Sequence, residues 1–312
     1  MKIARLVLCS PASHSPFLEI SGRRISDADF DKLADEFISG YLTARPLHGT
    51  QLGLHQYDGK ISDYTRLAID AEVARLKRFD DKLQKFDASK LSPRASIDRR
   101  ILQAAIKKEL FEIQDMASYD RNPMIYARAL EVNLYVKRDF KPLDERIRDI
   151  IAIEDQAQNI MTAAKTNLRD VLPKPYVELA IQIANGAVDF LEKNFVEAIG
   201  QINDQQLRAA FQESNKKAAA ALKEYGNWLS KERLPKATAD FALGEEKYRR
   251  MLATTELVDL PPAKILEIGL QQLKNEQAAF AEAAKQIDPE ENTGRSLQTN
   301  SERTSDRREL DS

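Results

Sequence analysis

Apolar residues recur every three or four positions through most of this chain, the period of a helix that buries one face. Ser26 followed by Asp29 reads as an N-cap start, and Phe30, Leu33, Ala34, Phe37, Ile38, Tyr41 and Leu42 then form one continuous stripe. A second stripe, Leu67, Val73, Leu76, Phe79, Leu83 and Phe86, predicts a buried helix over 65–86. The intervening stretch, 45–64, reads as a loop. It carries His48, Gly49, Gly53, His55, Asp58 and Gly59.

Proline sets the later helix starts, because a first-turn residue loses nothing by lacking an N–H. Ser92-Pro93 predicts a helix through Ile97, Ile101, Leu102, Ile106 and Leu110. Asn122-Pro123 predicts one through Tyr126, Leu130 and Leu134, and Lys174-Pro175 one through Val177, Ile181, Val188, Phe190 and Leu191. Pro142 opens a long helix with Ile147, Ile150, Ile151 and Ile160, and 204–234 forms another with the only tryptophan, Trp228. After the turn Phe241-Ala242-Leu243-Gly244 comes a short helix over 245–253. Pro261-Pro262 then introduces a last helix to about residue 287.

On that last helix Ile265, Leu266, Ile268, Leu270, Leu273 and Phe280 spread over more than half the circumference. A surface helix shows a narrower apolar arc, so this one wants cover on more than one side. Beyond Pro289 no aromatic residue occurs and Leu297 and Leu310 are the only large apolar ones, a composition that predicts disorder. The expected architecture is all-α: an orthogonal or bundle-like array of about nine helices with a disordered C-terminal tail. Residues 1–25 form an N-terminal extension without fixed structure, 26–289 the helical domain and 290–312 the polar tail. No fixed-period repeat suggests a solenoid.

Composition narrows the function. With 47 basic and 49 acidic residues the net charge is -2, which gives no basic field for nucleic acid. The single cysteine, Cys9, excludes an internal disulfide framework and a cysteine-rich zinc site. The apolar run Leu6-Val7-Leu8-Cys9 is too short for a signal peptide, and no stretch reaches a membrane-spanning length, so cytoplasmic residence is the default expectation.

The chemistry-bearing patterns are sparse. All three histidines, His14, His48 and His55, fall early, and no H-E-x-x-H or Glu-x-x-His pairing occurs. Asp27-Ala28-Asp29-Phe30-Asp31 mimics the start of a calcium loop, but Lys32 and Ile38 stand where glycine and glutamate belong. There is no G-x-S-x-G, Walker loop or dinucleotide fingerprint. Polar residues and glycines concentrate only at the loop after the first helix. There His55, Asp58 and Asp63 are candidates to line a cleft, with Tyr248 on the short late helix a further one. The plainer reading is structural: Asp58-Gly59 makes a turn and Ser62 or Asp63 caps the next helix.

Several runs in this order resemble landmarks of the bacterial family known as domain of unknown function 885. They are Thr50-Gln51-Leu52-Gly53-Leu54-His55-Gln56-Tyr57-Asp58, then Asp63, Asn122-Pro123, and Arg138-Asp139-Phe140-Lys141-Pro142-Leu143 with Arg146. Asn167-Leu168 and Phe241-Ala242-Leu243-Gly244-Glu245-Glu246-Lys247-Tyr248 follow, so the resemblance covers 29–289. It implies a helical, zinc-metallopeptidase-like protein, commonly exported, whose H-E-x-x-H helix lies further along than this chain extends. No position here matches those zinc ligands. The resemblance therefore implies a catalytically inert N-terminal half, one wall of a peptide cleft, with the missing catalytic half or a second copy as partner. A free-standing interaction module that uses an exposed apolar surface is the alternative, and a metal-independent enzyme built around His55 a third.

Overall fold

The structure, a computed structural model, describes residues 27–199 and 202–287. The expected Ser26 cap, Cys9, His14, the N-terminal extension and the polar tail lie outside the described residues. Within them the protein is all-helical, with one isolated parallel bridge between Pro173 and Thr238 as its sole β-type pairing. The helices number fourteen, not nine, among the described residues, because several expected long helices are broken.

The first layer joins α1 (Asp27–Ala44), α3 (Arg66–Gln84) and α4 (Pro93–Leu110) around Phe30, Phe37, Leu76, Phe79, Leu83 and Ile106. Phe79 meets Phe37 edge-on at 5.3 Å between ring centroids, and Phe30 meets Phe86 similarly at 6.1 Å, geometry that suits the ring quadrupoles. Ser92 caps α4 by accepting from the Ala95 amide at 3.2 Å, with Pro93 at the first position as the sequence implies. The α3 cap is Thr65, which accepts from the Ala68 amide at 3.3 Å, and not Ser62 or Asp63. Three stripe positions also face outward: Leu67, Ile97 and Ile101 are exposed.

The second, larger core is built from α6 (Met124–Ala127), α7 (Asn133–Lys137), α8 (Leu143–Glu154), α9 (Ala157–Asn167), α10 (Lys174–Asp189), α11 (Phe195–Ile199) and α12 (Gln205–Trp228). The short α5 (Ser118–Arg121) leads into it. Helix α12 is central and packs on α8, α9 and α10. Its buried face carries Ala218, Ala219 and Ala221, and α10 presents Ala180 and Ala184. Small side chains on both helices let their axes approach closely, so backbone contact replaces bulky interdigitation. The expected helix from Asn122 to Leu134 is split between α6 and α7, and the long Pro142 helix breaks at Asp155-Gln156 between α8 and α9.

Three helices, α4, α10 and α12, end in a π-helical turn at Phe111–Asp115, Phe190–Asn194 and Leu229–Arg233. Each such turn inserts one extra residue and rotates the next apolar positions toward the core. Phe111 and Leu229 are accordingly buried. Beyond them α13 (Glu245–Thr255) lies on α4, and α14 (Pro262–Ile287) follows. Leu266, Ile268, Leu270, Leu273 and Phe280 on α14 all stand exposed, as their distribution round the helix implied.

Candidate functional site

The segment between α1 and α3 is more structured than the loop its composition suggested. Pro46 starts a short helix, α2 (Pro46–Gln51), and His55–Tyr57 forms a single 3-10 turn. Gly49 makes this possible. A Cβ there would stand 2.4 Å from Cδ2 of Tyr57, a buried ring. Gly59 has φ +68 and lies against α8, where a Cβ would come within 2.9 Å of Asp149 Oδ1. Its amide donates to the Tyr135 hydroxyl at 2.8 Å.

This folding brings His55 and Asp58 together. The imidazole Nδ1 lies 3.0 Å from Asp58 Oδ2; the His55 side chain is 50% exposed and that of Asp58 only 3%. Phe140 stacks on the imidazole at 4.8 Å, and Lys141 Nζ reaches Asp58 Oδ2 at 3.2 Å. Lys141 also pairs with Asp149 of α8. Burial works against the Lys141 charge, but the two carboxylates more than offset it and hold the ammonium above its ordinary range.

Arg146 supports this corner from below. Its Nε donates to the Lys141 carbonyl at 2.9 Å, one terminal nitrogen to the Tyr135 carbonyl at 2.8 Å, and the other to Asp139 Oδ1 at 2.8 Å. Arg138 reaches across to the Gln51 carbonyl at 2.9 Å. The runs 50–58 and 138–143, far apart in sequence, are thus two sides of one clamp. Residue chemistry alone singled out His55 and Asp58 and missed Tyr135, Phe140, Lys141, Asp149 and Arg146. The usable signal was the dense run Arg138-Asp139-Phe140-Lys141-Pro142 with Arg146 four residues on.

Asp63 stands beyond the clamp, where Oδ1 accepts from the Thr65 amide at 2.8 Å in a turn that leads to the α3 cap. It also lines a cavity of about 890 Å³. One wall is the segment 59–66; the other is α9, with Gln156, Asn159, Thr162, Thr166 and Asn167. Asn167 fixes the two walls by donating to the Tyr64 carbonyl at 2.7 Å and to the Tyr126 hydroxyl at 3.1 Å. Amides and hydroxyls dominate this lining, and such groups can hydrogen-bond a polar chain without a net charge. Tyr248 is elsewhere. It sits partly exposed on α13, and the structure brings it to neither the clamp nor this cavity.

Among the described residues no group of three or more His, Cys, Asp and Glu side chains is arranged to hold a metal ion. His48 bonds the Tyr41 hydroxyl at 3.2 Å, while the carboxylate nearest His55 is already shared with Lys141. A catalytic zinc takes three protein ligands and an open position, and these side chains do not supply that set. No described helix is long and apolar enough to cross a membrane.

Comparison with known proteins gives the wider context. A family profile described as bacterial protein of unknown function, DUF885, matches residues 46–310. The chain belongs to that family. A solved structure of a candidate lipoprotein of unknown function from Shewanella oneidensis superposes with a TM-score of 0.71 at 19% identity. The match covers 83% of this chain and 48% of that one, so the chain spans about half the length of that DUF885-like fold. At that identity the likeness shows the fold. No curated protein matches the chain.

Proposed function

We propose that this chain is the N-terminal, non-catalytic part of a metallopeptidase-like protein, the helical wall of a peptide cleft, inert by itself. The observation that carries the reading is the clamp. The runs that mark the family resemblance converge there, and their charged groups are consumed in holding 50–59 against α8. Asp58 is buried and ion-paired, and Lys141 is held between two carboxylates. Neither is placed as a free base or nucleophile.

The cavity beside the clamp supports the cleft assignment. Its wall of Gln156, Asn159, Thr162 and Thr166 suits the amides of an extended peptide, with Asp63 at the opposite edge. His55, Asp58 and Asp63 then act by shaping that wall, and Tyr248 belongs to a more distant part of it. The half-length match supports a partner segment that would complete the cleft and supply the metal ligands. Likeness to a candidate lipoprotein favours an exported protein over cytoplasmic residence.

The direct test is metal content and turnover of the purified chain. After zinc loading and dialysis it should retain no stoichiometric metal and should leave a mixed peptide library intact. Stoichiometric zinc together with hydrolysis would overturn the reading. A second reading, a helical interaction module, is favoured by one feature alone, the uncovered apolar surface of α14.

A further inference from the structure

We propose that α14 is a self-recognition element, and that two copies of this chain pair through antiparallel α14 helices over residues 262–281. This goes beyond the cleft reading and does not depend on it. The starting point is spacing. Ala263, Leu266, Leu270, Leu273, Gln277 and Phe280 follow one another at alternating intervals of three and four residues, the seam pattern of a coiled coil. Leu266, Leu270, Leu273 and Phe280 are between 46% and 62% exposed, so the seam lies open along the helix. Ala284, the next seam position, is already buried, which ends the free seam just past residue 281.

The residues flanking the seam choose the orientation. In a parallel pair Gly269 would face the second copy's Lys274, and Glu276 the second copy's Ala281, so no opposite charges meet. In an antiparallel pair with Leu270 opposite the second copy's Leu273, Glu267 comes beside the second copy's Lys274, and symmetry repeats the contact. The same register sets small Ala263 against large Phe280 and leaves Gly269 beside Glu276 without crowding. A Cβ at Gly269 would meet nothing within 4 Å, so that flank has room for a second helix. The overlap of 20 residues is about 30 Å long. Helix α14 is already formed, so pairing need not order it first.

Glu267 is engaged by Lys264 at 2.7 Å within one copy, a local pair on an exposed surface that exchanges readily. Lys274 makes no ion pair among the described residues and is available to the second copy. Gln277 opposite Leu266 is the one polar position in the seam, and such a position penalises other registers.

Sedimentation velocity of the full chain, under reductant and from sub-micromolar to high micromolar concentration, tests the proposal. A reversible monomer–dimer equilibrium is expected, and Leu273→Glu should shift it to monomer at every concentration while circular dichroism stays unchanged. Charge reversal provides the independent check: Glu267→Lys and Lys274→Glu alone should each weaken the dimer several-fold, and the double variant should recover much of the loss. A monodisperse monomer throughout would overturn the proposal. So would larger aggregates, or a dimer indifferent to both charge reversal and Leu273→Glu. Zinc content and turnover do not enter this readout, so its failure is distinguishable from failure of the cleft reading.

Discussion

The two cores bury charge in opposite ways. Around the α1, α3 and α4 core, every buried charge has an opposite partner. Arg45 bonds Glu72 at 2.8 Å and also pairs with Glu109, while Arg75 bonds Glu72 at 2.6 Å. Both guanidinium groups lie over aromatic faces, Arg45 over Tyr41 at 4.6 Å and Arg75 over Phe37 at 4.9 Å. In the larger core α8 carries Glu154 inward with a single partner: Ser214 donates to Oε2 at 2.5 Å, and Oε1 has none. Burial pushes the Glu154 carboxyl up to about 8, with Ser214 only partly opposing it. One region is held by ions that must stay charged, the other by an acid that must stay neutral.

The largest effect should come from removing a cation from the paired region. Arg45→Met leaves Glu109 and one side of Glu72 unpaired in a largely buried setting. Breaking such a pair costs about 3–5 kcal/mol. Urea unfolding should show the midpoint fall with an unchanged slope, whereas the double variant Arg45→Met with Glu109→Gln should recover part of the loss. A loss below about 1 kcal/mol would place the network with weak surface pairs instead.

Acid should set the two regions against each other. Below about pH 4.5 Glu154 is protonated in the folded and unfolded chains alike. Between there and about 8 only the unfolded chain ionises, so stability falls as pH rises, by at most about 1.4 kcal/mol per pH unit. Glu72 behaves inversely. Burial disfavours its charge, but the hydrogen bonds from Arg75 and Arg45 prevail and hold it below the usual carboxylate range. Its contribution is present above the unfolded-state value and is lost as pH falls through the lowered folded one. Hydrogen exchange corrected for intrinsic rate should therefore show α3 losing protection in mild acid while α8 and α12 gain it. Glu154→Gln should flatten the α8 response and raise stability near neutral pH.

The small region also contains the tighter steric constraint. Gly49→Ala forces a methyl group into the buried Tyr57 ring and should cost about 1–3 kcal/mol, the range for overpacking. Its readout is a lowered melting temperature, recovered in part by Tyr57→Leu. An unchanged melting temperature would mean that α2 moves aside freely, and that 46–57 is not a fixed support for the clamp.

Helix identity was readable from apolar period, and Ser92-Pro93 even supplied the cap and start of α4. Interruptions were not. Ile147, Ile150 and Ile160 keep a helical rhythm across Asp155-Gln156, so the bend between α8 and α9 leaves no trace in the apolar pattern. It is set by tertiary packing on α12. Leu67, Ile97 and Ile101 fit their stripes yet face solvent, because period identifies a face and not what covers it. At the clamp, His55 and Asp58 were visible as a polar pair near glycines. Lys141 and Asp149 come from a distant segment and a helix face, and only folding makes them neighbours.

The smallest effect bears on that same distinction between buried and exposed charge. Lys82 reaches Glu36 at 3.2 Å between α3 and α1, beside the Arg45 network but on the surface, with both side chains about half exposed. Water screens both ions and both long side chains lose rotamer freedom on pairing, so Lys82→Ala should cost less than about 1 kcal/mol. Lys82 also lies over the Phe79 ring at 5.0 Å, so part of any loss is apolar stem and not charge. Lys82→Met keeps the stem and should lie closer to the parent protein than Lys82→Ala does. If both variants instead cost as much as Arg45→Met, exposure would not be what separates the strong pairs from the weak ones, and the contrast between the two cores would have to rest on packing.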